Sequence, residues 1–232
     1  RRLDATVEEP DVFPLAVQGP KAETLMTGLF GDGIAALPYF GFGTFDVLGT
    51  RQVIARSGYS KQGGFEIYLE GGHLGGALWD LVWEAGRGLE IRPGCPNLIE
   101  RIEGGLMSYG NEFTRANNPL ECGFKRYCHL EDGIDYIGRE ALLKIAEDGP
   151  DRHIMGVKFG GEPLSGVAVP LAVMAADGTQ VGQVTSGIWS PRLGCNVGMS
   201  MIARDHWDAG TAVIVRDADG APHEGVVASL PL

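Results

Sequence analysis

The sequence predicts an α+β fold, in which mixed or antiparallel sheets and packed helices precede a small C-terminal antiparallel β-barrel-like module. Apolar patterns of period two and of period 3.6 alternate over the first 150 of the 232 residues. From residue 151 onward, short β-rich runs are separated by Gly, Pro and Asp-Gly turns. Hydrophobic residues make up 44% of the chain and charged residues 21%, which is typical of a globular protein. We therefore expect one domain over residues 1–150 and a second over residues 151–232.

The elements of the first domain follow from local patterns. Pro20 favours a helix start after an opening strand, and a Gly-Thr turn between two β-rich runs predicts a hairpin. The expected elements are a strand over 13–17, a helix over 21–30, a hairpin of 44–48 and 51–55, a strand over 65–69, and helices over 76–85, 96–107 and 138–146. Trp79 and Trp83 lie one helical turn apart, a spacing more typical of a core or an interface than of a ligand cage.

The second domain is predicted from β-rich runs and the turns between them. Asp177-Gly178 and Asp219-Gly220 are hairpin signals. The clearest runs are 167–174, 182–186, 195–202 and 212–216. The predicted boundary is a turn and not a long linker, so we expect the two domains to pack tightly.

Charge and cysteine content restrict the function classes. The net charge is −11 and no run of Lys or Arg offsets it, which argues against nucleic acid as a partner and favours a soluble protein. No apolar stretch approaches the length of a membrane span. Cys95, Cys122, Cys128 and Cys195 show no C-x-x-C pair and no zinc spacing, which favours free thiols in a reducing cytoplasm and no metal site. The chain opens on Arg1 and not on Met, which indicates a start inside a larger protein.

Common catalytic motifs are absent from the sequence. It holds no phosphate-binding G-x-x-x-x-G-K-[ST], no nucleophile elbow G-x-S-x-G and no H-E-x-x-H. The Gly-rich run GGHLGG at residues 71–76 lacks the dinucleotide fingerprint and predicts a strand-to-helix loop. The sequence therefore gives little support to a site built on His or on phosphate binding.

Residues 92–110 form the most informative segment. At about 100° per residue, Leu98, Ile99, Ile102 and Leu106 share an apolar stripe, and Glu103 lies roughly 85° from its centre. A carboxylate at that edge must be solvated, paired or used by a ligand. Two glycines follow at once and allow a close approach by another element or by a flat ligand. Spacing alone leaves a surface Glu with a helix–helix contact as the preferred alternative.

A second cluster of polar and aromatic side chains spans residues 56–66, between two predicted strands. Loops of this kind often carry function. A plain connecting turn is an equally good interpretation of the pattern.

Four blocks of sequence, matched in order, resemble the folate-dependent aminomethyltransferase family, whose best-known member is the T-protein of the glycine cleavage system. They are PLAVQGP at 14–20, SGY through GFE at 57–66, RIEGG through SYG at 101–110, and TSG with SP at 185–191. YIGREAL at 136–142 is a further match. The blocks span nearly the whole chain, which makes a chance match improbable.

Within that family, the helix entry RPGCPN at 92–97 and the stretch NNPLECGF at 117–124 resemble the dimethylsulfoniopropionate demethylase branch. The resemblance implies a tetrahydrofolate-dependent demethylase that forms methyl-tetrahydrofolate and methylthiopropionate. Aminomethyl transfer in glycine cleavage, O-demethylation of methoxy-aromatic compounds and folate binding without catalysis stay open as alternatives. The implied partner is a small-molecule methyl donor, and a homodimer is left open.

The resemblance also assigns site residues. Glu103 matches a family carboxylate that binds the pterin ring, and an ionised Glu suits the N–H edge of a pterin because it is a pure acceptor. Tyr59, Tyr109 and Trp189 are candidates for aromatic or polar contacts with folate or substrate, and Glu66 is a weaker one. The resemblance places the catalytic Asp in a portion that precedes Arg1, so no catalytic residue is expected within residues 1–232.

Overall fold

The structure is a computed structural model that describes residues 4–232, so the predicted internal start at Arg1 lies outside the described residues. The chain divides into two compact units, Arg1–Pro96 and Asn97–Leu232. The domain boundary expected between residues 150 and 151 stays a prediction.

The first unit is an antiparallel sheet with two α-helices. The sheet order is β1-β4-β3-β2, and each neighbouring pair is antiparallel. The strands are β1 (Val12–Gln18), β2 (Phe42–Val47), β3 (Thr50–Ala55) and β4 (Gly64–Glu70), and the helices are α1 (Ala22–Phe30) and α2 (Gly75–Gly86). The predicted hairpin is confirmed as β2 and β3, which pair in register across their turn.

The core of the first unit is organised by the alternation along β4. Phe65, Ile67 and Leu69 are buried, while Glu66 and Tyr68 between them are half-buried. Because successive side chains of a strand point to opposite faces, Glu66 lies on the face away from this core. The pattern therefore leaves a carboxylate available on the second face of the sheet.

The second unit begins with α3 (Leu98–Glu103) and continues through irregular segments to α4 (Arg139–Asp148). The predicted helix over 96–107 is wrong in length. Asn97 caps the helix start, since its side chain accepts a hydrogen bond from the Ile99 amide at 2.9 Å. Gly104 ends the helix, and the residues after it follow a different path.

The barrel expected at the C-terminal end is confirmed. Its strand order β10-β5-β8-β7-β6-β9 closes on itself with antiparallel pairs. The strands are β5 (Arg152–Phe159), β6 (Leu171–Met174), β7 (Gln180–Ser190), β8 (Cys195–Ala203), β9 (Ala212–Arg216) and β10 (Pro222–Ala228). The run predicted over 167–174 forms a strand in its last four residues only. Both Asp-Gly hairpins are present, and the predicted α+β class with a C-terminal barrel is correct.

Candidate functional site

The first unit contains a cavity of about 780 Å³, here named the β1 cavity. It lies along the edge strand β1, the start of α1, one face of α2 and the segment over residues 89–96 that follows α2. Its lining includes the polar and aromatic side chains of Gln18, Tyr59, Glu66, Trp79 and Trp83. A volume of this size is typical of small-molecule sites, which occupy roughly 300–1,000 Å³.

Two of the predicted site residues, Tyr59 and Glu66, line the β1 cavity. The Ser57 hydroxyl donates to Glu66 Oε2 at 2.5 Å, and the Tyr68 hydroxyl lies 3.5 Å from the same oxygen. Tyr59 is 36% exposed in the loop between β3 and β4. The loop therefore brings an acceptor carboxylate and an aromatic side chain to one cavity.

Trp79 and Trp83 add an aromatic wall to the β1 cavity. Their rings are nearly parallel, with an interplanar angle of 7° and centroids 6.4 Å apart. Trp79 remains 46% exposed, so the pair is not closed into the core. Parallel indole faces attract flat rings and cations.

The charges on the cavity wall are partly balanced by an ion pair. The ammonium of Lys21 donates to Glu90 at 2.5 Å, and this bond holds the pKa of the Glu90 carboxyl below its ordinary value. Both side chains are more than half exposed, so the pair contributes little to stability.

Glu103, the leading candidate from the resemblance, lies in the second unit at the end of α3. It is 8% exposed, and its carboxylate accepts hydrogen bonds from the Ser190 hydroxyl at 2.6 Å and from Arg192 Nε at 2.8 Å. The alternative of a surface Glu is therefore wrong. Within this unit the carboxylate joins α3 to the β7–β8 hairpin.

The two glycines after Glu103 end the helix. The amide of Gly105 donates to the Ile102 carbonyl and that of Leu106 to the Arg101 carbonyl, which is the Schellman pattern. Gly105 has a φ of +66°, a value that favours glycine. At Gly105 the neighbour is the side chain of Leu230 and not another helix.

A buried ion pair near Glu103 was missed by the sequence analysis. Arg101 donates to both carboxylate oxygens of Glu112 at 2.9 and 3.1 Å, and to the Ser186 hydroxyl at 2.7 Å. The backbone amide of Ser108 also donates a hydrogen bond to this carboxylate, to Glu112 Oε2 at 2.6 Å. At about 100° per residue, Arg101 points away from the apolar stripe of α3, and no local signal in the sequence marks Glu112 as its partner.

Tyr109 and Trp189, the remaining candidates, lie in the second unit. Tyr109 is 63% exposed and makes an edge contact with Phe113 at 5.7 Å between ring centroids. Trp189 is half-buried on β7, next to the Ser190 that bonds Glu103. Two of the predicted site residues thus lie in the first unit, and the other three lie in the second.

Within residues 4–232, no group of three or more His, Cys, Asp or Glu side chains is arranged to hold a metal ion. None of the helices in the same range has the length and apolar character that crossing a membrane requires.

Comparison with known proteins yields two family matches. Residues 2–132 match the family described as GCVT N-terminal domain, and residues 152–232 match the family described as glycine cleavage T-protein C-terminal barrel domain.

Individual relatives share most of the chain. It is 49% identical over 221 residues to the dimethylsulfoniopropionate demethylase DmdA of Ruegeria pomeroyi, covering 95% of this chain and 59% of that protein. It is 33% identical over 209 residues to an aminomethyltransferase of Thermoanaerobacter pseudethanolicus, covering 88% and 55% respectively. The crystal structure of the glycine cleavage system aminomethyltransferase T from Bartonella henselae aligns with a TM-score of 0.75 at 25% identity, over 94% of this chain and 58% of that one. The chain thus spans little more than half the length of these relatives.

Proposed function

Because the chain belongs to the glycine cleavage T-protein family, we propose that it carries part of the site of a tetrahydrofolate-dependent demethylase. The proposed methyl donor is dimethylsulfoniopropionate, and the proposed products are methyl-tetrahydrofolate and methylthiopropionate. The observation that carries this choice is the 49% identity to a dimethylsulfoniopropionate demethylase over 95% of the chain, against 33% for an aminomethyltransferase. A cytoplasmic location belongs to the same proposal.

The size and the lining of the β1 cavity support a folate as the proposed ligand. Its volume of about 780 Å³ suits a flat pterin, and its Trp79–Trp83 wall offers faces for stacking. Glu66 offers an acceptor for pterin N–H groups, while Tyr59 contributes a ring and a hydroxyl at the same opening. We propose these residues as contacts of the folate or of the methyl donor.

Tetrahydrofolate would supply the nitrogen that accepts the methyl group, as the S–CH₃ bond of the sulfonium breaks with its electron pair left on sulfur and the nitrogen proton passes to solvent. The protein then has little acid–base work to do, and its residues act by alignment. The aromatic faces of Trp79 and Trp83 would attract the sulfonium cation. That a catalytic Asp precedes Arg1 stays a prediction, as do the roles of Glu103, Tyr109 and Trp189.

Turnover tests the proposed function directly. The full-length protein, including the portion that the resemblance places before Arg1, is incubated with tetrahydrofolate and dimethylsulfoniopropionate, and methyl-tetrahydrofolate and methylthiopropionate are measured by mass spectrometry. Parallel reactions replace the sulfonium with an aminomethyl-lipoyl carrier protein or with a methoxy-aromatic acid. Product from one of these donors and not from the sulfonium would assign the protein to that alternative. Folate binding without turnover of any donor would favour a non-catalytic folate-binding protein.

A matched pair of substitutions tests which carboxylate meets the folate. Glu66→Gln removes an anionic acceptor from the β1 cavity and should weaken tetrahydrofolate binding by roughly 10–100-fold, with little change in thermal stability. Glu103→Gln should lower the melting temperature, since both oxygens of Glu103 hold structural partners. Calorimetric titration measures the first effect and thermal unfolding the second. Weaker binding in Glu103→Gln alone would move the pterin contact to Glu103.

A further inference from the structure

Gln18 is the last residue of β1 and faces the β1 cavity. Its backbone pairs with Gly64 at the start of β4, which places its side chain beside the loop over residues 56–63. This loop carries Tyr59, and the strand that follows it carries Glu66. Gln18 is therefore the residue of the edge strand that lies beside the loop and the strand carrying the two proposed ligand contacts.

The side-chain amide of Gln18 forms three hydrogen bonds, with two residues of this loop and with one residue just after it. Nε2 donates to the Ser57 carbonyl at 3.0 Å and to the Phe65 carbonyl at 3.1 Å. Oε1 accepts from the Ser60 hydroxyl at 2.8 Å. Ser57 and Ser60 lie within the loop and Phe65 lies just after it on β4, so one side chain ties the loop to the start of that strand.

The loop is shaped around this amide. A Cβ at Gly58 would lie 1.9 Å from Gln18 Oε1, and it could be accommodated only if the amide moved. Because both hydrogens of the amide are engaged by carbonyls, that movement would break the contacts to Ser57 and Phe65. The absence of a side chain at Gly58 therefore leaves the space that the amide of Gln18 occupies.

A short chain of contacts links Gln18 to the carboxylate in the cavity. Ser57 offers its carbonyl to Gln18 and its hydroxyl to Glu66. A displacement of Ser57 would therefore release the hydroxyl that orients Glu66, and Tyr59 lies two residues further along the same loop. A merely space-filling side chain at position 18 would supply none of these restraints.

We propose that Gln18 is a positioning residue: its amide fixes residues 57–64 in the conformation that presents Tyr59 and Glu66 to the β1 cavity. The inference rests on the proposed function, since it assumes that these two residues contact folate or methyl donor. It goes beyond that function because it assigns the fixed conformation of the loop to one side chain, Gln18. The affinity of the cavity for its ligand then depends on Gln18 through the residues that it holds.

Loop order and ligand affinity can be measured separately. Lys61 is exposed within the loop, so the rate of trypsin cleavage after Lys61, followed by mass spectrometry, reports local opening without any ligand. Titration with tetrahydrofolate, followed by calorimetry, reports affinity. The test variant is Gln18→Met, which keeps the length of the side chain and removes its hydrogen bonds. Gln180→Met makes the same change at an exposed glutamine on the barrel and serves as the control.

We expect Gln18→Met to raise the rate of cleavage after Lys61 and to weaken tetrahydrofolate binding, each by about tenfold. Gln18→Glu should have the larger effect, because it sets a negative oxygen against the carbonyls of Ser57 and Phe65. The control should match the unsubstituted chain in both assays. If Gln18→Met fails to fold, Gly58→Ala displaces the same amide from the other side and should give the same two changes.

The outcomes separate the two proposals. Faster cleavage with unchanged affinity would overturn the positioning role and leave the proposed function standing. Unchanged cleavage in both Gln18→Met and Gly58→Ala would also overturn the positioning role. No tetrahydrofolate binding by the unsubstituted protein would overturn the proposed function and this inference together.

Discussion

Removing the charge of Glu112 should strongly destabilise the second unit. The side chains of Arg101 and Glu112 are 9% and 0% exposed, and two hydrogen bonds join them. Glu112→Gln keeps the shape of the side chain and removes the charge that balances the buried guanidinium. It also turns an acceptor-only carboxylate into an amide whose NH₂ group must face the donors of Arg101 or the Ser108 amide.

The size of the effect follows from this burial. Removing one partner of a buried ion pair costs about 3–5 kcal/mol, because the other charge stays in a poorly solvated site. For a chain of this length, each kcal/mol lowers the melting temperature by about 2–4 °C. We therefore expect Glu112→Gln to lower the melting temperature by roughly 6–20 °C.

Calorimetry or circular dichroism measures this shift against a surface control. Arg87→Met breaks the Arg87–Glu84 pair, whose side chains are 65% and 60% exposed, and should cost less than about 1 kcal/mol. Replacing both buried partners, as in Arg101→Met with Glu112→Leu, should recover much of the loss. A Glu112→Gln variant as stable as the surface control would refute the reasoning, because it would mean that water or a rearrangement already solvates the buried pair.

Three further predictions concern reactivity, acid stability and backbone strain. Burial raises the pKa of the Cys122 thiol to about 11, whereas Cys95 is exposed. Iodoacetamide should therefore alkylate Cys95 in the native protein and spare Cys122. Equal labelling of the two thiols, measured by mass spectrometry, would contradict this. A hydrogen bond from His223 holds the pKa of Asp217 below its ordinary value, so its stabilising effect exists at neutral pH and is lost as the pH falls through the folded-state pKa. Asp217→Asn should lower the melting temperature at pH 7, by a margin that shrinks as the pH drops below about 4; a constant margin would argue against it. Gly105→Ala should destabilise the protein by about 1–2 kcal/mol in denaturant unfolding, since φ is +66° there, and an unchanged midpoint would count against the strain.

Local patterns were sufficient wherever an element is specified by nearby residues. The β2–β3 hairpin and the Asp-Gly hairpins of the barrel depend on short turns, and each was predicted close to its observed position. Helix α3 was predicted too long because the apolar spacing continues to Leu106, whereas the backbone leaves the helix at Gly104. Apolar spacing does not show where the backbone changes direction. The end of the helix is set by a positive φ and two backbone bonds, which the spacing of Leu98, Ile102 and Leu106 does not encode.

Partners that are distant in sequence were beyond those patterns. The contact of Arg101 with Ser186 joins residues 85 positions apart, and that of Glu103 with Ser190 joins residues 87 apart. A helical wheel gives the direction of a side chain relative to its own helix and holds no information on what the barrel presents to it. For that reason the wheel pointed Arg101 away from the stripe, whereas the fold buries it with Glu112.

The same limit applies to the two candidate carboxylates. The resemblance ranks Glu103 above Glu66, and spacing alone marks Glu103 only as a carboxylate that borders an apolar stripe. In the fold, both oxygens of Glu103 accept bonds from the β7–β8 hairpin, whereas Glu66 lies in a cavity with hydroxyl donors on one oxygen. A carboxylate that already accepts an arginine must give up that bond before it can accept a ligand, which costs affinity. A carboxylate steadied through Ser57 and still facing a cavity carries no such cost, and on these grounds we favour Glu66 over Glu103 as the ligand contact.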